Sequence, residues 1–434
     1  MTRAKTYRDW NLDQVMLLPP SVRDFVPEGH LAHFIRDLVA QELDLSVILG
    51  GYTEEKGYPP YHPTMMTALL YSYCQGIYSS RRISKACIER VDFMAVTVLN
   101  QPAFRTVSDF RKRHLQALEG LFVQILRLCQ TAGLVRLGHV ALDGTKMKAN
   151  ASKHKAMSVG RMRTAEEQLT AAVQGWLKAA ETLDAEEDRR LPGITGEELP
   201  DWVVHKQMRL EKIRLARQAL EAEATQARTG PARTDDDPPT PPTRTDGTLK
   251  DQAQRNFTDP DSRILKTGDG FVKGYNAQIA VDAGHQIIVA QHLNAHGADA
   301  PQLPGMLTRI KANTGRQAQE LSADAGYCCE QNLKTLNRHR IRGYVATGRI
   351  HHGSAGPALR SRSPHIQAMH RRLRQGGWRS RYRLRKQVVE PVFGQIKQAR
   401  GFRQFLLRGL RKVQGEWSLI CTAHNLLKLA AATG

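Results

Sequence analysis

From residue 65 to 99, in MMTALLYSYCQGIYSSRRISKACIERVDFMAVTVL, apolar residues recur every three or four positions, the period of helices packed on one face. A turn-rich NQPAF follows, and FRTVSDFRKRHLQALEGLFVQILRLCQTAGL returns to the helical period. Ser108 and Asp109 are placed to cap a helix whose apolar face includes Phe110, Leu115, Leu118 and Phe122. Residues 1–135 therefore read as a helical domain. At 139 the pattern changes to a near-continuous apolar run, HVALDGTKMKANAS, expected to be a buried strand ending in Asp143.

Residues 158–190 carry Leu169, Val173, Trp176, Ala180 and Leu183 at coiled-coil-like spacing. PGITGEELP breaks that helix and 201–228 resumes a charged one, so the stretch reads as a helical hairpin inserted in the main domain. TGPARTDDDPPTPPTRTDG (229–247) has almost no large apolar residue and is expected to be a mobile linker. Strand patterns return at 275–283, 286–295, 320–326 and 343–348, with helices at 302–313 and 329–339 between them. Residues 417–430 form an amphipathic pattern suited to packing on one face of the sheet. The order predicts an α/β fold with a mixed sheet. Its predicted divisions are a helical domain (1–135), a first piece of the core (136–157), the insertion and linker (158–250), and the rest of the core with basic C-terminal helices (251–434).

Composition narrows the partner. The 434 residues carry 63 Lys and Arg against 42 Asp and Glu, a net charge of +21, which favours a polyanion such as nucleic acid. No apolar run approaches the ~20 residues of a spanning helix, and MTRAKTYRDWNLDQ lacks a signal-peptide core. A cytoplasmic protein without membrane attachment is expected. The six cysteines show no CxxC or zinc-like spacing and read as reduced and non-catalytic. No GxxxxGK[ST] loop is present, so ATP is not expected as a partner. Arg81, Arg82, Lys85, Arg105, Arg111, Lys112 and Arg113 sit at the entrances of the N-terminal helices. They suit either a solvated helical face or a helix-turn-helix-like module touching phosphates.

Three carboxylates stand out. Asp143 and Asp324 each end a predicted strand, and if those strands are neighbours the ends lie about 4.8 Å apart. Two carboxylates that close repel each other unless a cation lies between them, and magnesium suits hard oxygen ligands and substrate phosphates. Between Arg349 and Lys412 there are 17 Lys and Arg, and Glu390 is the only acid. Pro391 suits the first turn of a helix, which places Glu390 at a helix start or a kink. Lys397, seven residues on, projects from the same face, while Phe393 and Ile396 face the core. Three carboxylates can hold two metals about 3.5–4 Å apart, the arrangement that activates a nucleophile and stabilises the leaving oxygen in phosphodiester attack. A lone Asp at a strand end is more often a turn or cap residue, and Asp269, Asp282 and Asp299 are read that way. His139, His285, His292 and His296 are read as hydrogen-bonding or surface histidines.

These residues carry a family resemblance. YRDWNLDQVMLLPPSVRDFVPEGHLAHFI, HPTMMTALLYSYCQGIYSSRRI, FRTVSDFRKRHL, VALDGTKMKANAS, DGFVKGYNAQIAVD, ADAGY and VVEPVFGQIKQARGFRQFLLRG, in this order over residues 6–430, resemble insertion-sequence transposases of the DDE superfamily. The resembling branch is the one numbered eleven eighty-two, related to the fourth and fifth groups. The resemblance implies an RNase H-like core with Asp143, Asp324 and Glu390 as catalytic, metal-holding residues. It also implies Mg²⁺ or Mn²⁺, two ions, and double-stranded DNA (terminal inverted repeats and target) as substrate. Cut-and-paste transposition follows from it, as does a homodimer on DNA. Its third motif places a basic residue seven positions after the Glu, where Lys397 stands. Its usual Tyr and Arg, seven and four positions before, are replaced by Arg383 and Lys386, with Tyr382 one residue off. Lys397, Arg400 and the 371–386 cluster would hold phosphates, and Trp378 either stacks on a flipped base or packs in an interface or core. A domesticated DNA-binding protein and an RNase H-like host nuclease are the competing functions.

Overall fold

The computed structural model describes residues 21–51, 62, 65–187, 201–229, 240–268, 270–348, 363–376 and 379–433. Contacts divide the chain into two compact units, Met1–Ala117 with Ala430–Gly434, and Leu118–Leu429.

The first unit is helical: α1 (Leu31–Gln41), α2 (Ser46–Leu49), α3 (Met65–Cys74), α4 (Ser80–Glu89), α5 (Val91–Thr97) and α6 (Phe104–Arg113). Every residue of α3 is buried, which makes it the centre of this unit. Around it α4 buries Ile83, Ala86 and Cys87, while α6 buries Val107 and Phe110. Helix α6 begins at Phe104, so Ser108 and Asp109 lie inside it rather than at its cap. Pro102 disfavours helix at the residue before it, and the chain turns helical directly beyond the extended Ala103. Asp109 instead pairs with Lys112 on the exposed face at 3.1 Å.

The second unit opens with α7 (Leu115–Thr131, shared at its first turn with the first unit) and then β1 (His139–Lys148). A two-stranded ladder of β2 (Ala156–Ser158) and β3 (Gln254–Asn256) brackets the insertion, α8 (Val159–Glu187) and α9 (Asp201–Thr229). The main sheet adds β4 (Arg263–Thr267), β5 (Gly270–Asp282), β6 (Ile288–Asn294), β7 (Glu320–Ala323) and β8 (Arg342–Val345). Its order is β4-β5-β1-β7-β8, with β6 also on β5. The long β5 pairs with β1 along one edge, and its other edge is shared by β4 in the first half and β6 in the second. Strands β1, β7 and β8 are parallel and the others antiparallel, so the sheet is mixed. Helices α10 (Gln302–Thr314) and α11 (Glu330–Arg338) make the two crossovers, and α12 (Pro364–Gly376), α13 (Leu384–Gly394) and α14 (Leu410–Thr433) follow. This is the α/β architecture with a mixed sheet and a helical N-terminal region that the sequence predicts.

Three expectations change. Strand β1 does not stop at Asp143; it runs on to Lys148, because β5 continues to pair with it. Helix α14 is not amphipathic in its setting: residues 415–426 are all buried, and its polar groups are used internally. Asn425 exchanges hydrogen bonds with the backbone of Ile288, and Glu416 accepts from the amides of Leu406 and Leu407. The last part of the expected linker, residues 240–247, is structured: Arg244 N bonds Thr248 O and Lys250 N bonds Pro242 O. Leu249 and Ala253 anchor that turn by packing with Val159, Met162, Ile213 and Leu220 of the hairpin. Residues 230–239, like PGITGEELP, fall outside the described residues. Within the hairpin Val173 is buried, Leu169 packs on the same cluster and Trp176 meets Trp202 edge to face.

Candidate active site

Parallel pairing between β1 and β7 runs from His139↔Glu320 to Leu142↔Ala323 and then ends. The next residue on each segment is an aspartate, Asp143 within β1 and Asp324 just past β7, so the two follow directly on the last rung of the β1–β7 ladder. After Ala323 the chain turns: Asp324 caps the 3-10 turn Ala325–Tyr327, its Oδ1 accepting from Gly326 N at 2.9 Å. Asp143 Oδ1 accepts from its neighbour Gly144 N at 2.9 Å.

Glu390 arrives from α13. It lies well inside that helix, which starts at Leu384, so Pro391 occupies a mid-helix position and not the first turn. Proline has no N–H for the carbonyl four residues earlier. That carbonyl, Gln387 O, accepts instead from Gln286 Nε2 at 3.0 Å. Val388, Val389 and Val392 bury the inner face of α13. Side chains on a helix tilt towards its N-terminus, so the exposed Glu390 leans back towards the first turn. There it meets Arg385, whose Nη2 lies 3.0 Å from Glu390 Oε1 and whose Nη1 lies 2.7 Å from Asp143 Oδ2. One guanidinium thus joins two of the three carboxylates.

Asp143 and Asp324 both titrate upwards. Burial pushes the Asp143 carboxyl up to about 7, opposed by Arg385 and assisted by the charges of Asp324 and Asp299. Burial raises Asp324 as well, followed by the charge of Asp299, against the Gly326 N–H and Arg385. Ionised together, these groups call for a cation. The donor set is hard oxygen, suited to Mg²⁺ or Mn²⁺. Asp143 and Asp324 would hold such an ion, with Glu390 joining once Arg385 withdraws. Among the described residues no three His, Cys, Asp or Glu side chains converge as a ready metal cage.

The expected phosphate contacts sort into two groups. Arg383, just before α13, and Lys386 in its first turn are exposed, and Arg379, Arg381 and Arg383 line one open depression with Gln387. Lys397 and Arg400 turn inward. A π-helical turn, Gln395–Ala399, follows α13. From it Lys397 Nζ bonds Thr145 Oγ1 and lies 3.3 Å from Lys146 O, tying the turn to β1 two residues past Asp143. Burial lowers the Lys397 ammonium, while the charge of Asp143 opposes that shift. Arg400 reaches His424 Nδ1 at 3.3 Å and Gln395 O at 3.3 Å. In the first unit Arg111 is buried, donating to Tyr73 Oη (2.8 Å), Tyr78 O (2.9 Å) and Ser80 Oγ (3.1 Å). The expected surface role is corrected for it: a planar five-donor group suits three internal acceptors at once. Arg81, Arg82, Lys85, Arg105, Lys112 and Arg113 are exposed. Arg81 and Arg105 lie against the Phe104 ring, and Lys85 pairs with Glu89.

Arg385 and Asp299 are not among the site residues expected from the sequence. Asp299, which reads as a turn residue, accepts at Oδ1 from Lys146 Nζ (3.0 Å), Asn276 Nδ2 (2.7 Å) and Gln278 Nε2 (2.9 Å). For Arg385 a signal exists: Tyr382 and Arg385 keep the three-residue spacing of the expected Tyr–Arg pair, shifted together by one position. Trp378 and Asp269 lie outside the described residues.

Residues 242–426 match the family described as Transposase DDE domain, and residues 20–113 match Transposase domain (DUF772). The mixed α/β sheet and these two matches support a DDE transposase of the insertion-sequence kind. The first match contains Asp324 and Glu390 but begins beyond Asp143, which is brought to them by the pairing of β1 with β7. No curated protein and no solved structure matches the chain. Among the described residues no helix is long and apolar enough to cross a membrane.

Proposed function

We propose that this chain is an active DDE transposase of the eleven eighty-two branch. It binds the terminal inverted repeats of its element and carries out metal-dependent strand cleavage and strand transfer, the steps of cut-and-paste transposition. The observation that supports the reading is that Asp143 and Asp324 follow the last rung of the β1–β7 ladder, with Glu390 joined to Asp143 through Arg385.

Divalent Mg²⁺ or Mn²⁺, bound as two ions, would supply an activated water or 3′-hydroxyl and stabilise the leaving oxygen. Asp143 and Asp324 would hold the ions, and Glu390 would complete the set and orient the nucleophile. Arg385 also serves the substrate, because its fork suits a DNA phosphate once it leaves the carboxylates. The exposed Arg383 and Lys386 hold the backbone of the duplex, positioning it without reading sequence. Lys397 keeps the π turn fixed against Thr145. The exposed basic residues of α4 and α6, Arg81, Arg82, Lys85, Arg105, Lys112 and Arg113, contact the element's ends. Two ends must be held together, so a homodimer on DNA is part of the reading, as is action at the nucleoid in the bacterial cytoplasm.

The test is cleavage of a duplex carrying the element's own terminal repeat with Mg²⁺ or Mn²⁺, comparing wild type with Glu390→Ala. End-specific nicking that disappears in the variant while binding persists is the expected result. Equal cleavage by both proteins removes Glu390 from the site. Cleavage without end preference or strand joining favours a host nuclease, and binding without cleavage favours a domesticated DNA-binding protein.

A further inference from the structure

Gly144 and Gly326, each just after one of the two aspartates, share a purpose. A Cβ on Gly144 would overlap Gln278 Nε2 and lie 3.0 Å from Asp299 Oδ1. A Cβ on Gly326 would lie 3.0 Å from Asp324 Oδ1 and 3.2 Å from Asp299 Oδ2. Neither glycine has a positive φ, so backbone conformation does not require them. What they provide is space. At Gly326 the room of one methyl group separates the carboxylates of Asp324 and Asp299.

Asp299 is held unequally. Its Oδ1 takes all three side-chain hydrogen bonds, from Lys146, Asn276 and Gln278. Its Oδ2, the oxygen next to Gly326 and facing Asp324, accepts none among the described residues. Lys146 and Asn276 are opposite one another in the β1–β5 register, as are Gly144 and Gln278. The three donors therefore come from two alternate rungs of one ladder, on the same face of the sheet, a rigid support. Gln278 is itself fixed, its Oε1 accepting from the buried Tyr327 hydroxyl. A turn aspartate would be satisfied by nearby backbone amides; Asp299 is satisfied by side chains of two strands and keeps one oxygen free beside a candidate catalytic carboxylate.

We propose that Asp299 is a fourth carboxylate of the metal site, a positioning residue whose Oδ2 acts with Asp324 on the bound cation, directly or through one of its waters. This rests on the reading of Asp143 and Asp324 as metal-holding residues. The role is one of orientation and charge: Lys146, Asn276 and Gln278 fix where Oδ2 lies, and Oδ2 fixes where the ion lies relative to Asp324. Carboxylates that support metal ligands change affinity by about 10–100-fold when removed.

The experiment is Mn²⁺ binding to the full-length protein by electron paramagnetic resonance, with thermal melting alongside. Asp299→Asn keeps an oxygen for the three donors and removes the charge at Oδ2. The expected result is Mn²⁺ affinity weakened by at least about tenfold with a metal-free melt close to wild type. Wild-type affinity in Asp299→Asn overturns the proposal. Asp143→Asn separates this from the underlying reading: if it too binds Mn²⁺ as wild type does, the site itself is misplaced. A second measurement needs no variant. Fe²⁺ with ascorbate cuts a backbone near the bound ion, and cuts beside residue 299 are expected together with cuts beside 143 and 324. Cuts at 143 and 324 without one at 299 overturn the proposal.

Discussion

Arg385 Nη1 lies 2.7 Å from Asp143 Oδ2, and both side chains are only 14% exposed. This pair sets a guanidinium against the candidate catalytic carboxylate on β1. The same guanidinium reaches Glu390, so one side chain holds both carboxylates.

The first prediction concerns that pair. Asp143 titrates near 7 in the folded chain, above its ordinary 3.8. A carboxyl raised on folding takes up a proton, so it favours the fold at low pH and weakens it as pH rises from about 4 to 7. Arg385 limits this loss. In EDTA, Arg385→Met should therefore lower stability by about 1–3 kcal/mol at pH 8 and by much less at pH 5. Mg²⁺ should restore part of the difference at pH 8. Urea unfolding at the two pH values measures it, and an equal deficit at both would rule out Asp143 as the cause.

The second concerns acid stability. His424 accepts from Arg400 at Nδ1 and so donates from Nε2 to Gln286 O at 2.9 Å. Burial, then Arg400, pushes this imidazole down to about 3. A depressed histidine is neutral in the fold and charged in the unfolded chain below 6.5. Its contribution is thus present above pH 6.5 and lost as pH falls towards 3. His424→Gln should flatten the melting-temperature profile between those limits, with a loss of about 1–2 kcal/mol at pH 7.5 for the altered hydrogen bonds. An acid limb as steep as in the wild type would place the titrating group elsewhere.

The third separates the basic residues of the first unit. Arg111→Met should destabilise that unit by about 2–4 kcal/mol, because it removes the buried guanidinium that bonds Tyr73 Oη, Tyr78 O and Ser80 Oγ. Arg82→Ala should leave the melt unchanged and weaken DNA binding uniformly, reducing the slope of log affinity against log salt by about 1. Fluorescence anisotropy across a salt series reads the second effect. If Arg82→Ala binds DNA with the wild-type slope, α4 does not touch phosphates.

The sequence by itself determined the order of elements and the three carboxylates worth examining. Apolar period is a local property, so β1, β5, β6, β7, β8, α10 and α11 were all legible, and so was the strangeness of one Glu among 17 basic residues. The mid-strand position of Asp143 was not, because β1 continues only where β5 pairs with it. Basic residues look alike in sequence, and packing decided their fates. Arg385 reaches the carboxylates, Arg111 and Arg400 turn inward, and Arg383 and Lys386 stay outside. Only the tertiary structure brought Asp299 to Asp324. Its three donors lie on β1 and β5 and its neighbour Gly326 lies beyond β7, and no spacing along the chain encodes a contact that three strands make together.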